Sequence, residues 1–308
     1  MNNLNPQFAG MLGETAEVGR RNGIYGGWTH AGSNRVFVRV PAELKRRSAD
    51  PTNGWNGNGN GNGSRPELDH TPIVLIHGLS SSRTLKPLIR ALGSRRSVYA
   101  PDLPGFGMSD QPIHPLDIPG LADAMRRWLL DNDLLPATVV GVAFGCQVAV
   151  DLAAAYPAAV DRLVLVGPMF DPEARSAGRL AMRWARNAPR SSPRQAPKVV
   201  HDIIDAGPWR SVRTIRQALD DPIEEKLGDI EAPTLVVRPE RDHLVPAAWT
   251  ERVAELIPDS ELAVLPKAAH AIGPRAAARL TTLLVPFLSD SEEDSEEEGA
   301  AEEKQPAG

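Results

Sequence analysis

The chain has one cysteine, Cys146, in 308 residues. That excludes an internal disulfide framework and a cysteine-built zinc site, and it favours a reducing compartment. Aromatic residues make up only 5% of a chain that is 42% hydrophobic, a mix found in ordinary globular domains. No apolar run comes near the roughly 20 residues that span a bilayer. The start, Met1-Asn2-Asn3-Leu4-Asn5-Pro6, has no basic stretch leading into an apolar one. No secretory signal is visible there, and a cytoplasmic protein is expected. His30, His70, His114, His201 and His243 lack metal-ligand spacing, so no metal and no cofactor is expected. Nothing reads as nucleic-acid recognition or as a membrane segment. The expected partner is a small-molecule ligand or substrate, and oligomeric state is not legible.

The formal charge of −5 is unevenly spread. Residues 289–308 hold nine acids, from Asp290 to Glu303, against Lys304 alone, so the rest of the chain is slightly positive. Such an aromatic-free stretch buries too little apolar area to offset the entropy of ordering. A disordered, solvating tail is expected over 289–308, with docking onto a basic partner as the alternative.

Residues 1–19 look loose. Strand patterns at 23–30 and 35–40, joined by a turn at Gly32-Ser33-Asn34, predict a hairpin. An Asn/Gly repeat over 51–65 has no packing surface beyond Trp55 and predicts a flexible insertion. Ile73-Val74-Leu75-Ile76 has the continuous apolar character of a parallel strand buried on both faces. From there the pattern alternates: helix over 84–92, strand over 96–100, helix over 118–130, strand over 138–141, helix over 144–156, strand over 162–166. That rhythm predicts an α/β fold with a doubly wound, mostly parallel sheet. From 168 to 230 it gives way to a helical, arginine-rich stretch broken by Pro189, Pro193, Pro197 and Pro208, expected to be a lid. Strand, helix, strand and helix resume at 234–238, 247–256, 262–265 and 274–288. The core is therefore expected over 20–167 and 231–288.

The stretch that organises the chain is Gly141-Val142-Ala143-Phe144-Gly145, where a buried strand bends sharply into a helix. Glycines stand two positions before and after the apex, the spacing of the G-x-S-x-G nucleophile elbow. The apex itself is Ala143. The frame for a serine is present and the serine is not.

Four other pieces fall in order around it: His77-Gly78-Leu79, the loop Pro101-Asp102-Leu103-Pro104-Gly105-Phe106-Gly107-Met108-Ser109-Asp110, the segment Arg238 to Pro246, and Ala268-Ala269-His270-Ala271. With these five pieces the chain resembles the α/β-hydrolase superfamily over about residues 20–288. The resemblance implies a catalytic pair of His270 and Asp242 at the carboxyl edge of the sheet. It implies an oxyanion hole from the backbone N–H groups of Leu79 and Phe144, with Gly78 and Val142 beside them against the ligand. Asp171 and Glu240 match the acid position less well. At Ala143 no base can make a nucleophile from a methyl group, so a serine acyl-enzyme cycle is excluded there.

Cys146 is expected to pack beneath the elbow rather than to attack, and Ser80, Ser81 and Ser82 to cap the next helix or touch ligand. Arg175, Arg179, Arg183 and Arg186 recur at helical spacing and are expected to form a solvated face, with pairing to the acidic tail or to an anionic ligand as the alternative. Three functions stay open. One is a pseudohydrolase that binds a small apolar ligand in a lidded pocket. Another is a serine-independent enzyme, of lyase or cofactor-free oxygenase type, using the His–Asp pair. The third is an ordinary ester or amide hydrolase inactivated in this copy.

Overall fold

The computed structural model describes residues 23–42, 44, 71–94, 96–187 and 208–302. The expected loose N-terminus, the Asn/Gly insertion, His70 and His201 lie outside the described residues.

The hairpin forms as its alternation predicts. Strands β1 (Ile24–Ala31) and β2 (Asn34–Pro41) pair antiparallel, from Ile24 opposite Pro41 to Ala31 opposite Asn34. All four residues of β3 (Ile73–Ile76) are buried. A 3-10 turn over Ser82–Leu85 then leads into α1 (Lys86–Gly93) and β4 (Val98–Pro101). Helix α2 (Ile118–Asp131) starts where the Asp117 side chain accepts the Gly120 N–H, a cap that satisfies one of the orphan donors of the first turn. After it come β5 (Ala137–Val142), α3 (Gly145–Ala155) and β6 (Val160–Val166).

Between β6 and β7 (Thr234–Pro239) the chain makes an insertion that includes α4 (Ala177–Asn187), α5 (Pro208–Asp220) and α6 (Ile223–Lys226). Helix α7 (Ala247–Leu256), β8 (Ser260–Leu265) and α8 (Pro274–Glu302) complete the order. The sheet has eight strands in the order β1-β2-β4-β3-β5-β6-β7-β8. It is parallel from β4 to β8, with the antiparallel hairpin on the β4 edge. This is the α/β-hydrolase fold. No described helix is long and apolar enough to cross a membrane.

Strand β5 lies between β3 and β6, buried over its whole length, and α3 is buried on every side from Gly145 to Ala153. Its two polar side chains find partners there, Gln147 donating to the Ala218 carbonyl and Asp151 accepting from Lys226. The bend between β5 and α3 is thus held at the centre of the fold.

The last helix departs from expectation. It continues past Leu288 to Glu302. Residues after Pro286 include no further proline until Pro306, and their glutamates and alanines have good intrinsic helix propensity.

Candidate active site

Ala143 adopts φ 56°, the left-handed region, between the end of β5 and the start of α3. A non-glycine residue there costs on the order of 1–2 kcal/mol, so the surroundings must impose it. They do so through the flanking glycines. A Cβ on Gly141 would lie 2.8 Å from the Cys146 Cα, and one on Gly145 would lie 2.3 Å from the Ile76 carbonyl oxygen. The helix start is pressed so closely onto β3 and β5 that only glycine fits at either place. The Ala143 N–H donates to the Val166 carbonyl at 3.0 Å, tying the apex to the end of β6.

The loop after β3 packs against this apex. A Cβ built on Gly78 would lie 3.6 Å from both the Ala143 Cβ and the Val142 carbonyl oxygen. Neither the Leu79 nor the Phe144 N–H donates to a backbone carbonyl among the described residues. Val142 and Ala143 are each 8% exposed, so the apex is nearly dry.

Asp242 follows β7 and His270 follows β8, which puts both at the carboxyl edge of the sheet, where open α/β sheets bind ligands. Asp242 Oδ2 lies 2.7 Å from His270 Nδ1. The other carboxylate oxygen accepts the Leu244 N–H at 2.8 Å and the Val245 N–H at 3.2 Å. The Asp242 side chain is 1% exposed and that of His270 18%. With a carboxylate against Nδ1, that nitrogen carries the proton in the neutral ring and Nε2 keeps its lone pair. The elbow and the acid share an anchor. Val166 holds the apex N–H, and a Cβ on its neighbour Gly167 would meet Asp242 Oδ2 at 3.3 Å.

The other candidates fall away from this centre. Cys146 is fully buried, with Sγ 3.3 Å from the Gly141 carbonyl, and burial pushes its thiol pKa up, so it packs beneath the elbow. Ser80 Oγ donates to Thr84 Oγ1 at 3.5 Å, Ser81 accepts from Thr84 through its carbonyl, and Ser82 turns toward Asp102. Asp171 pairs with Arg183, and Glu240 accepts the Lys267 N–H. His30, His114 and His243 are exposed, and the described residues hold no cluster of three or more metal-ligating side chains. An open groove lined by Ala154, Asp229, Glu231 and Asp259 lies at the amino ends of β7 and β8, the wrong edge for this site.

The arginine row is corrected. Arg175 donates to the Asp221 carbonyl at 3.2 Å and pairs with Glu224, while Arg179 donates to the Glu173 carbonyl and Arg183 to Asp171. The expectation of a solvated face holds for Arg179, which is exposed, and not for Arg175 and Arg183, which are partly covered. The Arg186 side chain lies outside the described residues.

Sequence reasoning missed a second polar assembly beside the site. Arg39 and Asp102, with side chains 4% and 0% exposed, form an ion pair at 2.9 Å. Asp102 also accepts the Ser82 N–H at 2.7 Å, its hydroxyl at 2.6 Å and the Met108 N–H at 3.0 Å. Burial alone would raise this carboxyl, but Arg39, His77, Ser82 and Met108 together hold it below its ordinary value. His77 sits alongside, accepting the Leu103 N–H on Nε2 at 2.9 Å and donating from Nδ1 to the Gly78 carbonyl at 2.6 Å. Burial lowers its pKa. The assembly staples the loop after β3 to the 101–110 loop. The available signal was a charged Arg39 between Val38 and Val40 in a strand otherwise bound for the core.

Comparison with known proteins bears on the fold and the family. A model of the alpha/beta hydrolase family matches residues 73–280. An uncharacterized protein of Mycobacterium tuberculosis is 40% identical over 95 residues, 30% of this chain and 28% of that protein. This match thus spans under a third of the relative's length. A protein of Azorhizobium caulinodans provisionally named carbamate hydrolase RutD is 28% identical over 71% of this chain and 92% of its own length. Among solved structures, a meta-cleavage product hydrolase from Pseudomonas fluorescens IP01 superposes with TM-score 0.60 at 23% identity, covering 72% of this chain and 91% of that one. It was solved as a serine-to-alanine mutant in complex with acetates. The matched residues span about two thirds of the chain, from β3 into the last helix, and the chain belongs to the alpha/beta hydrolase family.

Proposed function

We propose that this chain has no serine acyl-enzyme cycle and works as a binding protein. It holds the carbonyl or carboxylate end of a small molecule at the elbow, with the ligand's apolar remainder beneath the helical insertion as a lid. The observation that carries this reading is Ala143 at φ 56° in a frame closed to anything but glycine on both sides. The elbow is kept while the atom that would attack is missing.

What remains favours an anionic oxygen. The hole's donors are backbone N–H groups and survive any side-chain change at the apex. Helix α3 points its N-terminus at the same spot, and that end of a helix carries partial positive charge. A methyl in place of a hydroxymethyl leaves room for one more ligand oxygen, which suits a carboxylate. The test is thermal unfolding against straight-chain carboxylates from acetate to octanoate. Binding raises Tm with concentration by mass action, and His270→Ala removes the rise. A Tm that ignores every member of the series refutes the reading.

One observation favours a second reading. The 2.7 Å Asp242–His270 bond orients an imidazole with its Nε2 lone pair available as a base. A serine-independent enzyme would turn over a substrate when purified and lose that turnover in His270→Ala. Esterase activity appearing only in Ala143→Ser would instead mark an ordinary hydrolase that lost its nucleophile in this copy.

A further inference from the structure

Five of the large apolar side chains that the fold leaves exposed share one neighbourhood: Trp28, Met108, Ile113, Trp209 and Val212. Trp28 Nε1 donates to the Met108 carbonyl at 3.3 Å. Arg210, next to Trp209, donates to the Pro112 carbonyl at 3.0 Å, which brings the start of α5 beside Ile113. The same guanidinium lies over Gly105, where a built Cβ would be 3.0 Å away. The 101–113 segment and the first turns of α5 thus make one continuous surface. Ile113 is 93% exposed and Trp209 75%.

Helix α5 presents its own stripe to solvent. Trp209, Val212, Arg213 and Arg216 are exposed at spacings of three and four, while Thr214, Ala218 and Leu219 are buried on the other side. An amphipathic helix in a water-facing insertion would show polar residues there. This one shows tryptophan, valine and arginine. The exposed charge on this stripe is positive, from Arg213 and Arg216, with no acid on α5 before Asp220.

We propose that this face docks peripherally on an anionic lipid surface. Tryptophan settles at the headgroup level, arginine keeps its charge in the headgroups while its stem lies along apolar groups, and clustered cations are drawn to acidic leaflets. Ile113 protrudes, a shape that enters a fluid surface more readily than it fills a rigid partner. The sequence expectation of no membrane contact rested on the lack of a spanning run, and peripheral docking needs none. Phe106, in the same loop, lies 6.1 Å from the Phe144 ring of the elbow, so the docked face borders the site.

The test uses the full chain and sedimentation with phosphatidylcholine vesicles, with and without phosphatidylglycerol. The chain is expected to pellet with the anionic vesicles at low salt, and to stay in solution with phosphatidylcholine alone or at high salt. Ile113→Ser combined with Trp209→Ser should lower partitioning roughly tenfold. Arg213→Glu with Arg216→Glu should lower it by at least as much. Leu262→Ser, an exposed apolar residue on the outer strand β8, should leave it unchanged, and all variants should melt with the parent. No pelleting with anionic vesicles overturns the proposal, as does partitioning that ignores both double variants. Self-association through these residues without vesicle binding also overturns it, assigning the face to a second copy or to the acidic tail. His270→Ala should bind vesicles normally, so a failure here is distinct from a failure of carboxylate binding.

Discussion

The molecule holds a histidine and an aspartate in two settings, and they are built to opposite ends. His77 is fully buried with both ring nitrogens spoken for, one by the Leu103 N–H and one by the Gly78 carbonyl. Asp102 beside it is saturated by Arg39, Ser82 and Met108. His270 is partly exposed, with Asp242 on Nδ1 and no partner recorded on Nε2 among the described residues. A ring with both nitrogens bonded can only hold structure. A ring with one nitrogen oriented and the other open can act on a ligand. Residue type alone does not separate the two; the count of satisfied atoms does.

The largest expected effect breaks the first setting. Arg39→Ala leaves the Asp102 charge buried without its cation and should cost about 3–5 kcal/mol in urea unfolding. His270→Ala should change stability by less than about 1 kcal/mol, since it removes a partly exposed ring, while abolishing the ligand-induced rise in Tm. Equal losses in the two variants would erase the distinction.

Next comes pH. His77 has its pKa lowered from 6.5 by burial, so below pH 6.5 the unfolded chain takes up a proton that the folded chain refuses. Stability should therefore fall as pH drops from 6.5 toward the folded value. Asp102, held below its ordinary 3.8, adds a second loss as pH drops below that value. Melts across this range check the sign, and stability that rises on mild acidification contradicts the assignment.

Asp242→Asn sharpens the second setting at lower cost. The amide would donate to Nδ1 and move the ring proton to Nε2, so carboxylate affinity should change while the unfolding midpoint barely shifts. In direct titration roughly tenfold tighter binding is expected, the scale of gaining one oriented hydrogen bond from Nε2–H to the ligand oxygen. The smallest effect belongs to the apex. Ala143→Gly relieves the left-handed strain but loosens the unfolded chain, for a net gain of up to about 1 kcal/mol.

How much of this was legible follows from the range of each interaction. The elbow could be read because its constraint is local: Gly141, Ala143 and Gly145 collide or fit within a single turn and the strand next to it. Asp242 and His270 could be read because each follows a strand by a few residues, and β7 and β8 are neighbours. The Arg39–Asp102 pair joins residues far apart in sequence across β2 and the end of β4, and no periodicity announces such a meeting. The partner of Arg175 hid for the same reason, since Glu224 sits on the far stem of the insertion.

The central claim is that the elbow has no attacking atom, and an active-site-directed fluorophosphonate read by intact-mass spectrometry tests it most directly. The unmodified chain should show no adduct, and Ala143→Ser should gain one, lost again on adding His270→Ala. A covalent phosphonyl adduct on the unmodified chain at this site would contradict the account.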